Sequence, residues 1–310
     1  MANLYSKAYS LFKTKKYKDL LKKTTAYIRY LFIKFWFNLT LKEMDSNLKK
    51  TNKDWIIFTY LKTKYEVFLK NYKKQLNETH EYSNIIWWCW FQGEENAPEL
   101  CKTCLASIRR EMPDKEIRII TTKNMFDYVD FPDFIKEKYK KGIITNTHFS
   151  DLLRLELLIK YGGTWIDSTV YCTNKPDYAF NIPLFVFKTN ERNDPGIAAQ
   201  SWFISSEKKE PILTLTRDLL YKYWEKHNYM IHYFLIYFFV KLASEFYKDE
   251  WEQIPWFPDL PPHIMQRELN KPYTQERWNQ LCRMSDIHKL SYKIELDKNI
   301  DNFYRHIIIE

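Results

Sequence analysis

The stretch SDLLRLELLIKYGGTWIDSTVYCT, residues 150–173, predicts a helix, an abrupt stop and a strand that leads to a single carboxylate. Six aliphatic side chains between residues 152 and 159 give the helix an apolar face wide enough for burial. Ser150 or Asn146 can cap its start through a side-chain oxygen. Gly162 and Gly163 end it, because glycine adopts the left-handed backbone of a helix terminus without steric cost.

Asp167 is the carboxylate to which this stretch leads. The β-branched and aromatic residues around it predict a strand over 164–171, and Asp167 lies where the buried part ends. A bare carboxylate is costly there unless a cation or hydrogen bonds satisfy it. Ligands of open α/β sheets bind beyond the carboxyl ends of the strands, so Asp167 is a candidate contact for a metal ion and a ribose. The alternative is that Asp167 only caps a turn.

The chain of 310 residues is long enough for one large domain or two modest ones, and 45% of its residues are hydrophobic. Its five cysteines are odd in number and scattered, which favours a reducing compartment. Cys101 and Cys104 have helical spacing and no second pair nearby. A buried helix face is therefore favoured over a zinc or redox site.

Residues 1–80 are strongly basic, with eighteen Lys and Arg against six Asp and Glu, a balance of +12. They contain no Gly or Pro and interleave aromatic residues with lysines, which predicts helices. A basic, aromatic helix is typical of binding to an anionic membrane surface. A helical bundle packed on the body is the alternative, and nucleic acid is not expected because no recognition motif is present. No signal peptide or membrane-spanning helix is expected either.

The rest of the chain alternates strand and helix patterns, which predicts an α/β fold. Helices are expected at 209–227 and 229–247, the second rich in aromatic residues that form core or, alternatively, a groove facing lipid or glycan. We expect a basic helical extension over 1–80 and a second domain over 81–310, with a helical insert at about 207–285. Further strands and helices are predicted at these places: strands at 84–91, 116–121, 183–189 and 202–205, and helices at 98–110 and within 123–142.

The motifs NIIWWCWFQG, SDLLRLELLIKYGGTWIDSTV and IHKLSYK resemble the bacterial capsular polysaccharide synthesis glycosyltransferases. These belong to a wider group with a sugar-binding Asp-x-Asp region, and the chain is more distantly similar to the glucosyltransferase module of large clostridial toxins. The resemblance covers roughly residues 84–295. It implies a GT-A-like nucleotide-sugar-binding fold, whose mixed, mainly parallel sheet is flanked by helices. It also implies a nucleoside-diphosphate sugar donor, with a UDP-sugar favoured, a divalent Mn²⁺ or Mg²⁺ ion, and retention of the anomeric configuration.

The resemblance also assigns roles to individual residues. Trp90 matches the tryptophan that stacks on the donor base, although it could equally be core. Asp151 matches the acid that contacts ribose or sugar hydroxyls, and Arg154 the arginine that reaches the sugar; a surface ion pair is the alternative. Together with Asp167 these two form the expected catalytic set. The expected donor-binding set is completed by Ser150, Trp165, Ser168, Lys289 and Lys293.

The expected metal ligands are Asp167, Thr169 and His288. Asp167 matches the first acid of the Asp-x-Asp motif, whereas Thr169 replaces the second with a weaker, neutral oxygen. Either the metal is held by Asp167, the donor diphosphate and His288, or metal dependence is relaxed. His288 could instead be a plain turn residue.

The resemblance and the basic segment together suggest a location and an acceptor. We expect a cytoplasmic protein, peripheral at the inner face of the cytoplasmic membrane, that acts on a glycan or lipid-linked oligosaccharide. The resemblance makes 81–310 the catalytic domain and its helical insert at about 207–285 the acceptor side. Gln200, Trp202 and His263 are also expected on the acceptor side. Because no confident nucleophile is visible, front-face attack is favoured. The rival hypothesis is a non-catalytic, membrane-peripheral scaffold of polysaccharide assembly, which Thr169 favours.

Overall fold

The computed structural model describes residue 28 and residues 46–77, 80–190, 196–295 and 301–309. The described parts of 1–74 and 190–196 form one compact unit, and those of 75–189 and 197–310 form another. The first unit contains helix α1 (Ser46–Asn71), within the segment predicted to be helical. Apart from residue 28, the predicted helices of 1–45 lie outside the described residues. In the part of the chain that is described, no helix is long and apolar enough to span a bilayer.

The second unit is built on a five-stranded sheet, whose strands lie in the order β2 (Glu116–Ile120), β1 (Ile85–Cys89), β3 (Gly163–Ile166), β6 (Ala199–Ser206) and β5 (Leu184–Lys188). Strand β1 pairs in parallel with β2 and β3, while β6 is antiparallel to both β3 and β5. Four of the five strands therefore point the same way, and the predicted mixed, mainly parallel sheet is confirmed. A separate ribbon pairs β4 (Val170–Cys172) with β7 (Ile287–Lys289).

Helices flank this sheet, as predicted. The central one is α5 (Asn146–Tyr161), which packs against β1, β3 and β6 and against the neighbouring helix α6. Its aliphatic residues from 152 to 159 are buried, as the sequence pattern requires. The other helices are α2 (Glu99–Glu111), α3 (Met125–Tyr128), α4 (Asp133–Lys140), α6 (Pro211–Lys226), α7 (Leu235–Phe246), α8 (Lys248–Gln253), α9 (Gln275–Met284) and α10 (Phe303–Ile309).

The two adjacent glycines join α5 to β3. Gly162 caps the helix with a φ of 66°, and its N–H donates to the Leu158 carbonyl over 2.7 Å. Gly163 has a φ of 93°, and a Cβ there would lie 2.4 Å from the carbonyl oxygen of Ile85 in β1. The second glycine is therefore required by the close approach of two parallel strands as well as by its backbone angle. The start of α5 differs from expectation: Thr145 precedes it, and Ser150 and Asn146 lie within the helix instead of capping it.

The strand predicted over 164–171 is broken at Asp167. Its N–H donates to the carbonyl of Trp202 over 2.9 Å, which is the last rung shared with β6. The N–H of Val170 then donates back to the Asp167 carbonyl over 3.0 Å, so the chain turns and enters the ribbon. Asp167 thus lies at the junction between the large sheet and the β4–β7 ribbon, which brings the C-terminal motif to the same place.

The aromatic-rich helix begins at Leu235, six residues later than the pattern predicts. The hydroxyl of Tyr223 explains this difference, because it donates to the Tyr229 carbonyl and accepts from the Ile231 N–H. Those backbone groups are therefore not available for the hydrogen bonds of a helix.

Cys101 and Cys104 are both buried on α2, and burial raises the pKa of each thiol, that of Cys101 to about 11. These are structural thiols, as their spacing predicted.

Candidate functional site

A cavity of about 730 Å³ opens in the second unit where β1 and β3 end. Trp90 follows β1 directly and Asp167 follows β3, so the parallel pairing of these strands places both residues at one edge of the sheet. Further lining residues come from the first half of α5, from residues 233–234, 263 and 266, and from residues 289–293. Ten residues predicted for the site line this cavity: Trp90, Ser150, Arg154, Trp165, Asp167, Ser168, Thr169, His263, Lys289 and Lys293.

The carboxylate of Asp167 is the centre of the polar network. It accepts a hydrogen bond of 2.8 Å from the indole N–H of Trp165, two residues earlier on the same strand. Its two oxygens each lie 3.6 Å from a cation, one from Arg154 and one from Lys289. The side chain of Asp167 keeps 26% of its exposure, so the carboxylate reaches the cavity. It is thus satisfied by two cations and an indole, and does not act only as a turn cap.

Arg154 projects from α5 and is almost completely buried. Its guanidinium donates to the carbonyl and the hydroxyl of Ser201, and lies 4.9 Å from the ring of Trp165. Burial alone would lower the pKa of Arg154, but the nearby carboxylates of Asp167 and Asp151 outweigh it and raise that pKa. The guanidinium is therefore a fixed, permanent positive charge in the cavity wall.

Asp151 lies behind Arg154 and does not line the cavity. One carboxylate oxygen is 3.2 Å from the Arg154 guanidinium, and the other is 3.6 Å from Nδ1 of His148. The side chain is largely buried. Asp151 therefore lies outside the cavity lining, because helical spacing turns it toward its neighbour three residues on, and its contact with sugar hydroxyls stays a prediction.

Lys289 reaches the cavity from the ribbon. In the antiparallel pairing of β4 with β7 it lies opposite Val170, and the N–H of Leu290 donates to the Thr169 carbonyl over 2.8 Å. Its ammonium donates to the hydroxyl of Thr169 and lies near Asp167. Thr169, which was expected to replace the second acid of an Asp-x-Asp motif, is thus hydrogen-bonded to a lysine.

His288 is the predicted site residue that the structure separates from Asp167. Successive residues of a strand point to opposite faces, so Lys289 faces the cavity and His288 faces away. The imidazole is buried, with Nε2 3.3 Å from the hydroxyl of Thr173, and it is absent from the cavity lining. Burial lowers the pKa of His288 to about 3, so it is a neutral core histidine at pH 7.

Of the three residues predicted for the acceptor side, one lines the cavity and two do not. His263 lines the cavity and packs edge-on against Trp202, with ring centres 5.5 Å apart. Trp202 itself is buried against Phe187 and does not line the cavity. Gln200 donates to the carboxylate of Asp259 over 2.7 Å, away from the cavity lining. Both residues belong to β6 and lie outside the cavity lining.

Aromatic side chains form the apolar part of the cavity wall. Trp90 is half-buried and meets Tyr292 edge-to-face, with ring centres 5.7 Å apart, whereas Trp87 and Trp88 are core residues. Tyr233 and Phe234, from the segment before α7, also line the cavity. Sequence reasoning missed Tyr292 as a site residue, although it lies in the C-terminal motif. It did raise a groove as the alternative for the aromatic segment that contains Tyr233.

The residues of this cavity do not fit a divalent cation well. The carboxylate of Asp167 is already paired with two cations, the hydroxyl of Thr169 accepts from Lys289, and His288 faces elsewhere. Hard cations require several oxygen ligands, usually with carboxylates among them. Within the described residues no cluster of three or more His, Cys, Asp or Glu side chains suits a metal ion. The predicted ligand set of Asp167, Thr169 and His288 therefore does not assemble.

The charge of the cavity is positive. Arg154, Lys289 and Lys293 line it together with Asp167, which is the one acidic residue among the described lining residues. Burial lowers the pKa of His263, so its imidazole adds no charge at pH 7. Cys89 also lines the cavity, but burial raises the pKa of its thiol to about 12. Such a cavity is suited to an anionic ligand with an aromatic or apolar part.

Comparison with known proteins gives the following similarities. The chain is 26% identical over 161 residues to the O-glycosyltransferase braB of Annulohypoxylon truncatum, a match that covers 45% of this chain and 37% of that protein. Among solved structures, the PaToxG glycosyltransferase shares 16% sequence identity with a TM-score of 0.39, covering 64% of this chain and 79% of that one. A transferase mutant shares 14% identity with a TM-score of 0.34, covering 56% and 92%.

The family comparison covers most of the chain. The model of the family described as "Capsular polysaccharide synthesis protein" matches residues 34–307, which include every residue that lines the cavity. The chain therefore belongs to the capsular polysaccharide synthesis protein family.

Proposed function

We propose that this protein is a glycosyltransferase, which moves a hexose-type sugar from a nucleoside-diphosphate sugar to a glycan acceptor in polysaccharide synthesis. The observation that carries the proposal is the composition of the cavity: two cations paired with one carboxylate and a third cation in the lining, beside a half-buried tryptophan. Cationic groups recognise a diphosphate. An exposed indole face stacks on a base, an interaction worth about 1–3 kcal/mol. Because bases share this property, the uridine nucleotide is proposed from the family resemblance alone.

The chemistry requires stabilisation of the departing diphosphate. Negative charge builds on its oxygens as the glycosidic bond breaks, and fixed positive charges at that point lower the barrier. Arg154 is suited to this role because its guanidinium is held by Ser201, Asp151 and Asp167 before any ligand enters. Preorganised groups of this kind need no rearrangement during the reaction.

We propose retention by front-face attack, because the cavity offers no evident carboxylate for a double displacement. Asp167 is engaged by Arg154 and Lys289. Glu156 is another acid of α5. It accepts a hydrogen bond of 2.6 Å from the Tyr221 hydroxyl and lines a different cleft. In a front-face reaction the leaving phosphate oxygen takes the acceptor proton, so no protein base is needed.

The proposal predicts that the purified protein releases nucleoside diphosphate from one member of a panel of nucleotide sugars, with UDP-sugars the favoured class. Released nucleotide is measured by liquid chromatography, and the anomer of the transferred sugar by NMR. An inverted product would refute front-face retention while leaving glycosyl transfer intact. Absence of release from every donor, with a panel of glycan acceptors present, would favour the non-catalytic scaffold instead.

We further propose that the acceptor is lipid-linked and that residues 1–80 hold the protein at the inner face of the cytoplasmic membrane. The support is the balance of +12 in that segment and its interleaved aromatic residues. The full chain should sediment with vesicles rich in anionic lipid, and it should dissociate from them at high salt. A chain that begins at residue 75 should stay in the supernatant; equal sedimentation of both would contradict membrane binding by this segment.

A further inference from the structure

We propose that the ammonium of Lys289 takes the place of the divalent cation, so that the protein binds its nucleotide without metal. This inference rests on the proposed function, since it concerns the diphosphate of the donor. It departs from the metal-dependent mechanism that the family resemblance implies. Three features of the cavity support it.

The first feature is the position of Lys289, which the backbone sets. Residue 289 lies opposite Val170 in the β4–β7 ribbon, and the ribbon continues in the bond from the Leu290 N–H to the Thr169 carbonyl. The motif from Asp167 to Thr169 and the lysine are therefore held by one pair of strands. The lysine ammonium lies 3.6 Å from the carboxylate of Asp167 as a result of this register.

The second feature is the set of oxygen atoms that a cation would need. Asp167 supplies one carboxylate to the cavity, and its two oxygens already face Lys289 and Arg154. The hydroxyl of Thr169 accepts a hydrogen bond from the same lysine. A dication at Asp167 would approach two fixed positive charges, and like charges at such distances repel strongly.

The third feature is the residue pattern. Thr169 stands at the second position of the Asp-x-Asp-type motif, where an acid would strengthen a metal site. Two carboxylates and a dication would have a net charge of zero. One carboxylate, that of Asp167, and one ammonium, that of Lys289, also have a net charge of zero. The missing acid at Thr169 and the added cation at Lys289 therefore compensate each other in charge.

The transfer step is balanced without a metal. The bond between the anomeric carbon and the β-phosphate oxygen breaks, and its electron pair stays on that oxygen. The acceptor oxygen forms the new bond to the anomeric carbon, and its proton passes to the departing phosphate. Lys289 keeps its proton throughout. Its ammonium donates hydrogen bonds to the phosphate oxygens, which a metal ion would otherwise attract by its charge.

The test is nucleotide binding by the full chain, measured by isothermal titration calorimetry. UDP, GDP, ADP and CDP are titrated first in excess EDTA and then with Mn²⁺ or Mg²⁺ in its place. The tightest-binding nucleotide should have the same affinity in both conditions within about threefold. Binding that appears only with a metal ion would overturn the inference and leave the proposed function intact. Binding of no nucleotide in either condition would overturn both.

Variants of Lys289 test its role in EDTA. Lys289→Met should weaken nucleotide binding by about tenfold or more, and Lys289→Arg should retain most of the affinity because it keeps the charge. Lys102→Met makes the same change on the exposed face of α2 and should bind like the native protein. Native affinity in Lys289→Met would refute the assignment. Because the comparison of EDTA with metal uses the native chain, the inference stays testable if a variant fails to fold.

Discussion

Replacement of Asp167 by asparagine should lower the rate of glycosyl transfer by about 10²–10³-fold. Asparagine has nearly the same shape, and its amide oxygen can still accept from the Trp165 indole, as the carboxylate does over 2.8 Å. The lost negative charge leaves Arg154 and Lys289 facing each other without the anion between them. Both cations should then shift, and the site loses the preorganisation on which its catalytic effect depends. The rate is measured as nucleotide release at saturating donor.

The control for this variant is Asp127→Asn, which makes the same change on an exposed residue of α3. It should transfer sugar at the native rate. Thermal unfolding of both variants separates a local loss from a loss of fold. A correctly folded Asp167→Asn protein with native turnover would contradict the role given to this carboxylate.

Replacement of Gly163 by alanine should destabilise the fold by about 3 kcal/mol or more. The residue has a φ of 93°, and the new Cβ would lie 2.4 Å from the Ile85 carbonyl oxygen. That oxygen belongs to the backbone of β1, so it cannot move without separating β1 from β3. The same pairing places Trp90 beside Asp167, and nucleotide affinity should therefore fall with stability. Stability is measured as the free energy of unfolding in denaturant.

Gly142→Ala is the matched control for the backbone angle. Gly142 has a φ of 69°, but nothing lies within 4 Å of the Cβ that alanine would add. Its cost should be about 1–2 kcal/mol, the usual cost of a left-handed alanine. The difference between the two variants isolates the contact with Ile85. Equal costs would show that the close approach of β1 and β3 is not what requires glycine at residue 163.

The local pattern of residues 150–173 contained much of the fold and the centre of the site. The aliphatic face, the paired glycines and the lone carboxylate each correspond to a physical requirement of burial, chain reversal or charge. The structure confirms a buried helix, a stop at Gly162 and a carboxylate at the end of β3. The alternation of strand and helix patterns along the chain predicted the α/β class, whereas the mixed, mainly parallel sheet was implied by the family resemblance.

The features of the site that could not be predicted from the sequence depend on contacts between segments that are distant in the chain. His288 and Lys289 are neighbours, and the pairing of β7 with β4 decides which of them faces Asp167. A shift of one residue would exchange their positions, and no local pattern excludes it. Asp151 was assigned to the sugar from the family resemblance; in the structure its carboxylate lies against Arg154 and His148. The late start of α7 likewise follows from the hydroxyl of Tyr223 in another helix.

The most direct test of the account is an experimental structure of the protein with a bound nucleoside diphosphate. The account predicts that the base lies against Trp90 and that the phosphates lie within hydrogen-bonding distance of Arg154 and Lys289. A nucleotide bound elsewhere on the chain, or phosphates turned away from both of these cations, would contradict it.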